Sequence, residues 1–256
     1  MSQNVQSLYI TYNSLIWDYE ETAALLDVKE YELELLKLKK RLGLVKKEDV
    51  EAMETQIEDL HTTLENILIQ KEDILGEVNL LLGQNYDIEL EIGTIPEINP
   101  NELSEIDPKS DQEKALEISY SRITELNNYV LKSNALETAE EDHGDDSNEY
   151  KEAEVDYEKA IISLSDKELE IKNTFDDSFD GLKDKEDKFS TDKEDLADKN
   201  ADYELAKTKY NLGMINGLEK ENARMQYYLQ GLTIKRSQLD LFKSYIEYQW
   251  ILRGMI

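Results

Sequence analysis

The sequence predicts an all-α protein of long antiparallel helical hairpins, arranged as two internal repeats. Three observations lead there. Apolar residues recur in steps of three and four, or of seven, through most of the 256 residues. That is the spacing of helices that share narrow seams. Charged residues make up 34% and hydrophobics 39% of the chain, too few apolar side chains for one compact core of this size but enough for seams. Finally, two turns of matching sequence, each built on Leu-Gly, open helices of matching length.

The first helix is expected over residues 2–41, with Val5, Tyr9, Tyr12, Ile16, Tyr19, Ala23, Leu26 and Leu33 on its stripe. The second, 47–82, carries Met53, Ile57, Leu60, Leu64, Ile67, Lys71, Ile74, Val78 and Leu81, a coiled-coil seam broken by one lysine. All three prolines, Pro96, Pro100 and Pro108, fall in a connector from Gly83 to about Lys109. Its stretch 87–92 alternates polar and apolar, and a short strand is expected there. A third helix, 111–141, holds Leu116, Ile118, Ile123, Leu126, Tyr129, Val130 and Leu136, and stops at the acidic turn around Gly144.

The longest helix is expected over 147–211. Tyr150, Tyr157, Leu164 and Ile171 step by seven; the series then shifts by four and resumes as Phe175, Leu182, Phe189, Leu196, Tyr203 and Tyr210. Such a phase shift is a stutter. At 1.5 Å per residue this helix is about 100 Å long. Its lower half has about one apolar residue per heptad, so it needs neighbours on both sides. The fifth helix, 217–253, repeats Leu218, Met225, Leu232, Leu239 and Ile246 every seven residues. The chain thus divides into a first hairpin repeat (1–83), a connector (84–110) and a second hairpin repeat (111–256).

Composition excludes several functions. The formal net charge is −29, from 58 acidic and 29 basic residues, which repels nucleic acid in the absence of a basic patch. With no cysteine there is no thiol nucleophile, disulfide or zinc–thiolate site. The two histidines, His61 and His143, are far apart; the first reads as a seam-flanking or surface residue and the second as part of a solvated acidic turn. Asp142, Asp145 and Asp146 do not have EF-hand spacing. No glycine-rich phosphate loop or acid–base set is present, so neither enzyme activity nor a cofactor is expected. No apolar run is long enough to span a membrane as a helix, and the N-terminus has no basic n-region of a signal peptide.

The two turns read Leu42-Gly43-Leu44-Val45 and Leu212-Gly213-Met214-Ile215, 170 residues apart. The helices they open run 40 residues to Gly83 and 41 to Gly254, ending as Asn79-Leu80-Leu81-Leu82-Gly83 and Trp250-Ile251-Leu252-Arg253-Gly254. This pattern resembles the TolC family of outer-membrane efflux and secretion tunnels. Family tips read roughly Gly-x-Ile/Val-Ser-x-x-Asp-x-Leu-x-Ala. Gly43, Val45 and Asp49 match in the first copy, and Gly213, Ile215, Glu219 and Ala223 fall at the same offsets in the second. The resemblance covers nearly the whole chain, though each motif alone is weak.

The chain departs from the family in two places. Family members insert two membrane strands between the helices of each repeat; here the third and fourth helices are joined by a turn too short for them. In the first repeat the upper half is missing: about 40 residues precede Gly43, against about 65 for the matching helix before Gly213. Either the chain begins inside that helix or the repeat is reduced. Both readings remove the barrel, and a barrel-less relative would suit a Gram-positive envelope.

The resemblance implies a subunit of an extracytoplasmic helical tunnel for efflux or type I-like secretion, assembled as a trimer. It would work with an adaptor (membrane fusion) protein and an inner-membrane transporter. It places adaptor docking on Gly43, Leu44, Val45, Gly213, Met214 and Ile215, although a plain αα-turn with a glycine cap explains the same residues. It also implies an acidic ring at the aperture. Glu219 keeps the first carboxylate of that ring and Asn222 loses the second. A latch between Tyr210 and Asp49 is expected. Residues 137–205 hold 26 acidic residues and nine lysines, which reads either as a solvated face or as an electronegative tunnel wall. The competing function is a coiled-coil scaffold or adaptor without a pore.

Overall fold

A computed structural model describes residues 3–255. Among them are seven helices: α1 (Gln3–Arg41), α2 (Lys47–Leu81), α3 (Pro100–Ser104), α4 (Pro108–Ile118), α5 (Tyr120–His143), α6 (Asn148–Asn211) and α7 (Gly217–Ile251). The four long helices begin and end within about two residues of the expected bounds, the scatter inherent in frayed ends.

Helix ends follow local chemistry. Lys39, Lys40 and Arg41 close α1, where cations suit the negative end of the helix dipole. Asn99 caps α3 and Asp107 caps α4, each followed by proline at the first helical position, where the missing N–H costs nothing. At α6, the Ser147 hydroxyl oxygen accepts from the Tyr150 N–H at 3.0 Å.

The chain forms two compact units, 1–96 with 188–239, and 97–187 with 240–256. In the first unit the helices lie in the order α2, α1, α7, α6. Lys71 of α2 sits over the Tyr12 ring of α1. Arg236 of α7 donates to Asp18 and Glu21 of α1 at 2.8 and 2.6 Å. Tyr203 of α6 stacks on Tyr227 of α7, with ring centroids 6.1 Å apart.

Burial follows that order. On α2, Met53, Ile57, Leu60, Leu64, Ile67, Lys71 and Ile74 are sheltered, and every residue between them is exposed. Helix α1 instead buries Leu15 and Trp17 as well as Leu26, Val28 and Leu33. Leu15, Trp17 and Val28 lie off the expected stripe, because α1 has a neighbour on each side. Helix α7 likewise buries Ser237 beside Met225, Leu232 and Leu239.

The second unit centres on Phe175, which contacts the Tyr248 ring at 5.6 Å; Ala115, Ile171 and Leu182 are also buried. Helix α5 pairs with α6 through Arg122–Glu168 and Lys132–Asp156 at 2.7 and 2.8 Å.

Two expectations fail. The third helix, expected as one piece, is two, α4 and α5, and α3 is a further short helix inside the connector. Ser119 leaves helical geometry (ψ 124°), and its hydroxyl caps α5 by accepting from the Arg122 N–H at 3.4 Å. Gly254 seats at this break, where its carbonyl accepts from the Tyr120 N–H at 3.5 Å. The strand over 87–92 does not form either. An isolated strand lacks partners for its N–H and C=O groups, and none of the described residues supplies them. The segment is instead tied to the end of α2: Asn79 donates to the Tyr86 and Ile88 carbonyls at 2.9 and 2.7 Å. Tyr86 donates to Asp73 at 3.0 Å, its ring filling the space where Gly76 has no side chain.

Candidate functional site: the hairpin tips

Both inter-helix turns of the repeats lie in the first unit and are built alike. At the first tip the Leu44 N–H reaches the Lys39 carbonyl and the Gly43 N–H the Lys40 carbonyl, each at 2.9 Å. At the second, Met214 reaches Lys209 and Gly213 reaches Tyr210, again at 2.9 Å. These bonds define the Schellman turn, which needs a left-handed residue after the helix. Gly43 (φ +72°) and Gly213 (φ +71°) supply it.

The same geometry recurs at the far ends of the hairpins. The Gln84 and Met255 amides reach back to the Asn79 and Trp250 carbonyls, across Gly83 (φ +71°) and Gly254 (φ +75°). All four glycines of the sequence repeat therefore do one job.

At both tips the residues flanking glycine do not pack back on the helix. Leu42, Leu44, Leu212 and Met214 are 66–70% exposed, while Val45 and Ile215 are half-buried beneath them. Each tip thus offers two apolar side chains to solvent over one anchored β-branched residue. Glycine lets a second backbone approach closely, since a Cβ at Gly43 or Gly213 would have no heavy atom within 4 Å.

The helices after the tips start with an acid at the same offset, bonded in different ways. Asp49 accepts from the Lys46 N–H at 2.9 Å. Asn216 accepts from the Glu219 N–H at 3.0 Å and donates to the Glu219 carboxylate at 2.6 Å. Both acids sit six residues after glycine at N3, and each start makes one half of a capping box, the carboxylate half at Asp49 and the side-chain cap at Asn216. The structure therefore occupies Asp49 with its own helix start; Tyr210 instead carries the Lys220 ammonium 4.8 Å from its ring centroid. Glu221 holds that ammonium above its ordinary range, by a hydrogen bond and by its charge. Asn222 is exposed one turn further on.

Sequence reasoning missed Asn216 and Lys220. The Asn216–Glu219 spacing is itself a capping signal, whereas nothing in the sequence marks Lys220 as Tyr210's neighbour. Gly217 is small because the Tyr31 hydroxyl of α1 occupies the place of its Cβ. His61 is exposed, its Nε2 4.0 Å from Glu30, and His143 ends α5 in the solvated turn.

No family model matches the sequence, and no curated protein does. Solved structures do match the fold. The outer membrane protein VceC of Vibrio cholerae superposes with a TM-score of 0.64 at 14% identity, over 98% of this chain and 69% of that one. A membrane protein from Pseudomonas aeruginosa gives 0.67 at 15%, over 98% and 65%. The Campylobacter jejuni CmeC outer membrane channel gives 0.58 at 12%, over 98% and 62%. The chain therefore spans about two thirds of these proteins and has the helical-hairpin fold of TolC-like outer-membrane channels throughout its length. Among the described residues, no helix is long and apolar enough to cross a membrane.

Proposed function

We propose that this chain is a subunit of an extracytoplasmic helical tunnel for efflux or type I-like secretion, assembled as a homotrimer. One observation carries the reading. In the first unit, two hairpins of equal build stand side by side, with α1 and α7 buried on two faces and α2 and α6 on one. A layer of that kind has two free edges, and repetition about an axis closes them. The matched outer-membrane channels support the same reading.

In this reading conduction is passive, and an adaptor protein and an inner-membrane transporter supply selection and energy. The tips dock the adaptor through Gly43, Leu44, Val45, Gly213, Met214 and Ile215. Glu219 lines the aperture beside the neutral Asn222, and Tyr210 with Asp49 forms a latch in the assembled state. The acid-rich face of α6 lines the lumen, favouring cations over anions. The compartment is the cell envelope.

Light scattering and negative-stain imaging of the purified chain test this. A closed ring with a central lumen is the expected result. A rod-like monomer or dimer at every concentration would favour the scaffold instead.

A further inference from the structure

The α5/α6 hairpin carries an unusual surface for so acidic a chain. From Tyr120 to Ala135, every exposed residue of α5 is uncharged: Tyr120, Ile123, Thr124, Asn127, Asn128, Val130, Leu131, Asn134 and Ala135. The charged residues of this stretch are sheltered and turned to α6. Arg122 meets Glu168 at 2.7 Å, Glu125 accepts from Ser163 at 2.9 Å, and Lys132 meets Asp156 at 2.8 Å. A second copy bearing 58 acidic residues can approach this face without forcing carboxylates together.

Helix α6 carries the complement. Val155, Ile162 and Leu169 step by seven and are 47%, 60% and 58% exposed. Each lies two residues from one that is sheltered against the hairpin: Tyr157, Ala160 and Ile171. A two-residue step turns about 200° around a helix, so Ile162 and Leu169 face away from the sheltered side, while Val155 borders the groove that α6 shares with Lys132 and Ala135 of α5.

The heights of the two sets interleave. The pairs Lys132–Asp156, Tyr129–Tyr157, Glu125–Ser163 and Arg122–Glu168 fix which levels of α5 and α6 coincide. Val130 and Leu131 fall between Val155 and Ile162, and Ile123 falls between Ile162 and Leu169. In a ring whose axis runs along the hairpin, neighbouring copies share one level. The apolar residues of α5 then enter the gaps of the α6 stripe as knobs into holes.

We infer that copies of this chain associate head to tail through this hairpin, the uncharged α5 face of one copy seated on the Val155–Ile162–Leu169 stripe of the next. The inference rests on the homo-oligomeric reading above and adds a contact to it.

Cysteine cross-linking tests it directly, since the chain has no cysteine of its own. Asn127→Cys and Ile162→Cys, placed in one chain, lie level on opposite sides of the hairpin. Oxidation of the assembled protein should give a covalent ladder that stops at the ring size, while each single variant stays monomeric on a denaturing gel. Ile162→Glu, an exposed change that leaves helicity by circular dichroism intact, should lower the sedimenting mass to that of the monomer. Disulfide dimers from Asn127→Cys alone would mean two-fold pairing and overturn the head-to-tail contact. An oligomer that neither cross-links nor responds to Ile162→Glu would reject the contact and leave the tunnel reading standing. A wild-type monomer at every concentration would remove both.

Discussion

Tyr248 of α7 donates its hydroxyl to Asp111 of α4 at 2.8 Å, across 137 residues of sequence, with its ring fully buried against Phe175. Nearby, Tyr245 donates to Glu102 at 2.8 Å. These two phenol–carboxylate bonds fasten the last turns of α7 to α3 and α4.

They should make stability fall at high pH. Burial first, then the bond to Glu102, pushes Tyr245 up to about 12 from 10.0. Tyr248 is raised by burial and by Asp111. A phenol raised in the folded state stabilises fully below its unfolded value of about 10, and that contribution is lost as pH climbs through the folded value. Circular dichroism should show helix loss beginning above that point. Tyr248→Phe should cost about 1 kcal/mol at neutral pH through the lost bond, yet flatten the alkaline decline. An unchanged alkaline profile would assign the decline to other groups.

Gly254 should cost more to replace than the two tip glycines. Alanine in a left-handed conformation costs about 1–2 kcal/mol, so Gly43→Ala and Gly213→Ala should each lose that much in urea melts. Gly254→Ala should lose more, because its Cβ would stand 2.5 Å from the Ile118 carbonyl oxygen. Equal losses at all three would contradict the close approach.

Gly76 and Tyr86 should be strongly coupled. Gly76→Ala forces the Tyr86 ring off α2 and breaks its bond to Asp73. In a double-mutant cycle with Tyr86→Ala, the second substitution should remove most of the first one's cost, with a coupling of about 0.5–3 kcal/mol. Strict additivity would show that the ring does not rest there in solution.

The tips separate stability from function. Leu44→Asp with Met214→Asp changes exposed residues and should move stability by no more than about 0.5 kcal/mol. It should abolish binding to an adaptor hairpin, measured by calorimetry; retained binding would return the tips to plain turns. Asn216→Ala should cost about 1 kcal/mol as a lost cap. Tyr210→Phe with Asp49→Ala should widen the aperture of an assembled ring, read as conductance. Asp49→Ala alone reports the cap, which Asp49→Asn partly keeps.

Much of this was legible in the residues. The seam from Met53 to Ile74 emerged intact because α2 has one neighbour, so its apolar period and its burial coincide. Gly43, Gly83, Gly213 and Gly254 were legible as a repeat because left-handed caps demand glycine wherever they occur. The two-sided burial of α1 was not, since Leu15 and Trp17 only gain a partner once α7 lies alongside. Nor was the break at Ser119, in a segment whose periodicity runs through without interruption.

The sequence by itself determined where the long helices run, how they turn and that the chain repeats, because helix period and caps are set by neighbours a few residues away. Only the tertiary structure decided which helices are flanked on both sides, that the stretch after Gly83 is tied to the end of α2 instead of forming a strand, and which faces of α5 and α6 are left to solvent. The flanking of α1 depends on groups 218 residues apart, such as Asp18 and Arg236, and the α5–α6 pairing on groups 24 to 46 apart, from Lys132–Asp156 to Arg122–Glu168, whose meeting no local pattern encodes.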